Sequence, residues 1–142
     1  MSNQSDATPV AMLWRLAAAA NAHDIEALVE CFTPDYVNET PAHPARGFTG
    51  REQVRTNWTQ IFAAVPDIEV TVLRHAVAED EIWSEWEMAG TRRDGSSQLM
   101  RGVVLFGVRD GRAASARFYL EPVDHGRADV NQAVRTLTGG AR

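Results

Sequence analysis

The sequence predicts an α+β fold: a cone-shaped α+β barrel with three N-terminal helices packed on a strongly curved, mainly antiparallel sheet. Two observations carry this expectation. Apolar residues recur at helical spacing as far as Val65, then alternate with a period of two from Ile68 onward. Two hairpin signals, Asp94-Gly95 and Asp110-Gly111, divide the second half into consecutive strands. Helices that precede such a meander segregate on one face of the sheet. A sheet bent around them leaves a cone with an open mouth.

Each element has its own local reason. Thr8-Pro9 starts a helix, with Thr as N-cap and Pro at the first helical position. Val10, Leu13, Trp14, Ala17 and Ala18 follow on one helical face. Asn21-Ala22-His23 breaks that run, and Asp24 caps a second helix from Ile25 to Phe32. Thr33-Pro34-Asp35 reads as a stop, and Tyr36 to Thr40 as a short extended segment. Pro41 to Thr49 carries Pro41, Pro44 and Gly47 and reads as an irregular loop. Thr49-Gly50-Arg51-Glu52 has the form of a capping box for a third helix that runs to about Val65. Strands follow over Ile68 to Val72, Ile82 to Thr91, Leu99 to Val108 and Ala114 to Glu121. Val130, Val134 and Leu137 mark a C-terminal helix within Arg127 to Leu137.

The 142 residues predict a single domain over 1–142, with a core from about 10 to 124 and a C-terminal helix and tail over 125–142. Hydrophobic residues make up 44% and charged residues 23%, a globular and not a disordered composition. All 14 basic residues are Arg, against 19 acidic ones, so the net charge is −5. An acidic chain without a basic face is not expected to bind nucleic acid or an anionic membrane. Cys31 stands alone, which excludes an intramolecular disulfide, and its neighbours make it a buried core residue. Met1 to Thr8 is polar with no long apolar run behind it, and Gly102 to Val108 is too short to span a bilayer as a helix. A cytoplasmic location is expected.

Four segments in this order carry a family resemblance. They are Asn21-Ala22-His23-Asp24-Ile25-Glu26-Ala27-Leu28, Phe32-Thr33-Pro34-Asp35-Tyr36, Phe48-Thr49-Gly50-Arg51-Glu52-Gln53-Val54, and Arg109-Asp110-Gly111-Arg112 with Arg117-Phe118-Tyr119-Leu120-Glu121-Pro122. Together they resemble the SnoaL-like group of the nuclear transport factor 2-like superfamily, over about Val10 to Asp124. The superfamily holds scaffolds, isomerases, cyclases and hydrolases, so the fold alone does not fix the chemistry.

Steroid isomerases of that superfamily place a Tyr on the first helix and Asp residues on the first and penultimate strands. The matching positions here are Leu16, Thr40 and Val104, none of which titrates as a base. Tyr36-Val37-Asn38 resembles the Tyr-x-Asn that holds water in limonene-epoxide-hydrolase-like members. Their middle-strand Arg and Asp match Glu85 and Glu87, and their last-strand Asp matches Phe118, a position where SnoaL-type cyclases also use an acid. The resemblance therefore implies catalytic roles for Glu87 as acid and for Tyr36 and Asn38 as positioning groups.

The residues themselves leave a second reading of β-strand 82–91 open. Glu85 and Glu87 share one face with Trp83, while Ile82, Trp86 and Met88 share the other, the pattern of a half-buried strand with a solvated side. Trp58 and Phe62, four apart on a helix, fit a core stripe or a pocket wall. Met100, Gly102 and Val104 share a strand face and, with Phe118 and Leu120, would line an apolar cavity in which Gly102 leaves room. The four His are scattered, with His43 in the Pro-rich loop, and no spacing forms a metal site. Neither a phosphate-binding Gly-rich loop nor a nucleophile elbow is present, so no metal or cofactor is expected. Two functions remain open: a cofactor-independent acid–base enzyme (isomerase, cyclase or epoxide-hydrolase-like) on an apolar oxygenated substrate, or a non-catalytic apolar-ligand pocket or scaffold. Val103 and Leu105, apolar on the face away from the cavity, point to a homodimer.

Overall fold

The computed structural model describes residues 7–140. Helix α1 (Pro9–Asn21) opens where Thr8 Oγ1 accepts from the Ala11 N–H at 3.1 Å. Helix α2 (Ile25–Glu30) is capped in the same way by Asp24, which accepts from the Ala27 N–H at 3.1 Å. Met12, Leu13 and Leu16 of α1 and Leu28 of α2 are buried against the sheet and form the centre of the core. Helix α3 (Arg51–Ala64) buries only Val54 fully; the rest of its apolar stripe stays half-buried.

Six strands form one sheet: β1 (Phe32–Glu39), β2 (Phe48–Thr49), β3 (Glu69–Ala78), β4 (Glu81–Thr91), β5 (Ser97–Arg109) and β6 (Arg112–Pro122). Their order is β2-β1-β6-β5-β4-β3. The β1–β6 pair is parallel and every other pair is antiparallel, which gives the mainly antiparallel cone with its helices on the concave side. This closure sets Asn38 opposite Ala116, so that the first strand lies beside the last. Both hairpin signals form turns, with Gly95 at φ 87° and Asp110-Gly111 at φ 55° and 77°, the backbone of tight hairpins.

Three local expectations are corrected. Thr33-Pro34-Asp35 lies inside β1, where the register with β6 shifts between Phe32 and Val37; Pro34 is accommodated where the ladder is interrupted. Thr49 does not cap α3: it pairs with Val37 in β2, and Gly50 takes the N-cap at φ 98°. The loop expected over Pro41 to Thr49 contains a short 3-10 turn, Pro44–Arg46, and β2. The C-terminal helix is α4 (Val130–Leu137), with a capping box between Asp129 and Gln132, and none of its residues is buried. Residues 1–6 and 141–142, the ends of the expected N-terminal segment and tail, lie outside the described residues. Among the described residues no helix is long and apolar enough to cross a membrane.

Cys31 closes α2 and is 4% exposed, and its Sγ–H donates to the Ala27 carbonyl at 3.4 Å. Burial pushes the thiol up from 9.0 to about 11. As pH rises, the unfolded chain loses this proton first, so it binds fewer protons than the folded chain between those two values. Stability should therefore hold below pH 9.0 and fall between there and about 11, by about 2–3 kcal/mol. Urea midpoints should show this decline from pH 9.0 upward, and Cys31→Ala should remove it between about 9 and 10, where the buried Tyr36 phenol does not yet add a decline of its own. An equal decline in both proteins would assign it elsewhere.

Candidate functional site

A cavity of about 280 Å³ lies between α3 and the concave face of the sheet. Helix α3 contributes Val54, Asn57, Trp58 and Ile61, spaced i, i+3, i+4 and i+7 so that one face looks into the cone. Strand β1 contributes Phe32, Tyr36 and Asn38, with Thr40 just beyond its end. Phe118 and Leu120 of β6, Met100 of β5 and Met88 of β4 complete the apolar wall. Arg46, at the end of the 3-10 turn, and Phe48 of β2 also line it. Behind this cavity is a second chamber of about 30 Å³ that reaches Leu16, Trp86 and Val104. Phe32, Trp58, Met88 and Phe118 line both spaces and so form the partition.

Strand alternation puts Tyr36 and Asn38 on one face. The Tyr36 hydroxyl donates to Asn38 Oδ1 at 2.7 Å, and the two residues are 1% and 7% exposed. Burial drives the Tyr36 phenol well above its ordinary range, so it stays neutral and acts as a donor, not as a base. Asn38 Oδ1 is thereby occupied, and its Nδ2 makes no hydrogen bond to any described residue. Among the described residues lining the cavity there is no Asp, Glu, His or Cys.

The structure brings Tyr36, Asn38, Trp58, Met100, Phe118 and Leu120 together around the cavity, and sets Val104 in the inner chamber. Three placements are corrected. Glu87 stands on the outer face of the sheet, where its Oε2 accepts from Arg101 Nε at 2.8 Å. The inward residues of β4 are Ile82, Ser84, Trp86 and Met88, all buried, and a shift of one residue along a strand reverses the face. Glu85 lies on the outer side as well, paired with Arg74 at 2.6 Å. Phe62 turns away from the cavity and stacks on the His23 ring at 4.6 Å, while Ile61 takes the wall position. Gly102 lines neither space; a Cβ there would lie 2.1 Å from the Tyr119 carbonyl oxygen, so the glycine permits close approach of β6 and does not make room in the cone.

The positions matched to the acids and phenol of related enzymes do face the two spaces: Leu16, Thr40, Val104 and Phe118 all line one or both. Their side chains supply no carboxylate. His43 is held outside the lining, with Nε2 2.7 Å from Glu121 Oε1. Among the described residues no three His, Cys, Asp or Glu side chains are grouped to hold a metal ion. The sequence does not single out Arg46 and Asn57, nor Phe32, Phe48, Val54, Ile61 and Met88, as cavity residues. Asn57 was accessible from its place between Val54 and Trp58 on the helical stripe, whereas Arg46 sits in a loop with no periodicity to orient it.

Comparison with known proteins agrees with this geometry. No curated protein matches the chain. IdmH, a candidate polyketide cyclase from Streptomyces antibioticus, is similar in structure, with a TM-score of 0.69 and 24% identity over 79% of this chain and 91% of that one. AclR, a candidate hydroxylase from Streptomyces galilaeus, superposes with a TM-score of 0.70 at 15% identity, covering 99% of this chain and 89% of that one. A protein with a ketosteroid isomerase-like fold from Catenulispora acidiphila, in complex with trimethylamine, gives a TM-score of 0.65 at 23% identity over 79% of this chain and 86% of the other. At these identities the likeness shows the cone fold. The model of the SnoaL-like domain matches residues 14–116, most of the chain, and the protein belongs to that family.

Proposed function

We propose that the protein binds a small, mostly apolar, oxygen-bearing molecule in its cone. The observation that carries this reading is the cavity of about 280 Å³ with one buried hydrogen-bonding pair, Tyr36 and Asn38, in an apolar wall. Such a space lies near the lower end of the range of small-molecule sites, about 300–1,000 Å³. Trp58, Phe118, Leu120 and the two Met side chains offer the apolar body a fit, and Asn38 Nδ2 offers a donor to a carbonyl, hydroxyl or epoxide oxygen. A binding role is favoured over acid–base catalysis because a general base must titrate within reach of the proton it takes. A second reading, a cofactor-independent isomerase, cyclase or epoxide-hydrolase-like enzyme, is supported by Tyr36-Val37-Asn38 in the wall. In that case Asn38 would stabilise charge developing on the substrate oxygen.

Titration of tryptophan fluorescence with 2-acetonaphthone tests the first reading. The double variant Tyr36→Phe/Asn38→Leu replaces both partners of a buried hydrogen bond by apolar groups, so it should fold with nearly unchanged stability. Its affinity for the ketone should fall roughly tenfold, which corresponds to about 1.4 kcal/mol. Glu87→Gln should bind like the parent. Full affinity in the double variant, or loss in Glu87→Gln, would overturn the assignment.

We further propose that a second copy covers the outer sheet face. Trp83 pairs with Leu105 and Tyr119 with Val103 across the strands, and Trp83 and Tyr119 are 49% and 43% exposed. An apolar patch of this kind on an antiparallel sheet is suited to an isologous contact. Light scattering should give twice the 15.7 kDa chain mass, and Trp83→Glu should halve it; a 15.7 kDa particle at micromolar concentration would refute the dimer.

A further inference from the structure

The amide and guanidinium groups of the cavity are unbalanced: their oxygens are occupied or lacking, and their N–H groups are left to donate, beside the hydroxyls of Tyr36 and Thr40. Tyr36 spends its hydroxyl proton on Asn38 Oδ1, which leaves Asn38 Nδ2 open. On α3 the same thing happens to Asn57, whose Oδ1 accepts from Gln53 Nε2 at 2.8 Å and whose Nδ2 bonds to no described residue. The third donor is Arg46. Arg46 makes no ion pair with any described residue; it shares that with others such as Arg117, but among the described residues Arg46 is the arginine that lines the cavity. It is the sole charged residue among the described residues of the lining. Glu121, next to Leu120 in β6, is engaged by His43. Asn38 is buried and Arg46 exposed, so the donors run from the interior to the mouth.

We infer that the cavity is built for an amphipathic carboxylic acid: an apolar body in the cone and a carboxylate at Arg46 and Asn57. The chemistry is direct. A carboxylate only accepts, and it has about four lone-pair sites for the amide and guanidinium N–H groups. Arg suits this role because its planar fork matches the two oxygens. The apolar wall of Phe118, Leu120 and Trp58 excludes water from the body of the ligand but supplies no competing negative charge. This inference rests on the binding reading above and adds the class of ligand.

The test compares 2-naphthoate with 2-naphthamide, which share shape and apolar area but differ in charge. By calorimetry the wild-type protein should bind the acid at least tenfold more tightly than the amide. Arg46→Gln should abolish that preference, with the larger loss falling on the acid, and Arg46→Lys should keep part of it. Arg46 is exposed, so neither variant should move the thermal midpoint. Equal binding of acid and amide by the wild type would overturn the carboxylate inference while leaving the binding reading intact. An undiminished preference in Arg46→Gln would likewise overturn it. Binding of neither compound would defeat both readings.

Discussion

Gly102→Ala should destabilise the protein by about 3 kcal/mol or more, by overpacking and by backbone strain together. Gly102 adopts φ 155° in the middle of β5, opposite Leu120 on β6 and Trp86 on β4. An added Cβ would lie 2.1 Å from the Tyr119 carbonyl oxygen and 2.7 Å from the Leu120 Cα. Both are backbone atoms in a paired strand, so no side-chain rotation relieves the contact. The β5–β6 ladder has to part, and Phe118 and Leu120 leave the wall with it. Chemical denaturation should show the loss, with hydrogen exchange fastest over 100–104 and 118–122. A variant within about 0.5 kcal/mol of the parent, the scale on which ordinary surface substitutions fall, would mean that the strands separate freely at this point.

Phe118→Ala acts on the cavity itself. The Phe118 ring lines both the outer cavity of about 280 Å³ and the inner chamber of about 30 Å³, and meets Phe106 edge-on at 6.4 Å. Its removal should join the two spaces and cost about 2–4 kcal/mol, from lost burial and the void left behind. The enlarged cone should then prefer a three-ring ketone such as 2-acetylanthracene over 2-acetonaphthone, the reverse of the parent. Retention of the parent's preference would show that the ring is not the partition.

Much of this was legible in the sequence because local rules dominate there. Thr8 and Asp24 cap helices through a single side-chain oxygen. The change of period at Ile68 marks the start of the meander, and strand parity alone puts Tyr36 beside Asn38. Glu87 shows where that logic failed. The two faces of β4 were evident, but which one looks inward depends on its pairing with β5. Cross-strand partners share a face: Trp86 opposes Gly102 and Ser84 opposes Val104, so the Glu87–Arg101 pair lies on the other side. With Gly102 and Val104 on the concave side, this pairing sends Glu87 outward, although its sequence position matches a related enzyme's acid. Phe62 failed by a smaller angle, since Ile61 and Phe62 are neighbours about 100° apart around α3. Arg46 was beyond local rules altogether. Its place depends on the loop folding back on β1, fixed by the Gly50 N–H donating to the Tyr36 carbonyl at 2.7 Å.

A crystal structure of the protein grown with 2-acetonaphthone addresses the binding site most directly. The ketone should occupy the cone with its rings between Trp58 and Phe118 and its oxygen about 2.7–3.2 Å from Asn38 Nδ2. Density confined to the outer sheet face beside Glu87 and Arg101, with the cone unfilled at saturating ketone, would contradict the assignment of the cone as the ligand site.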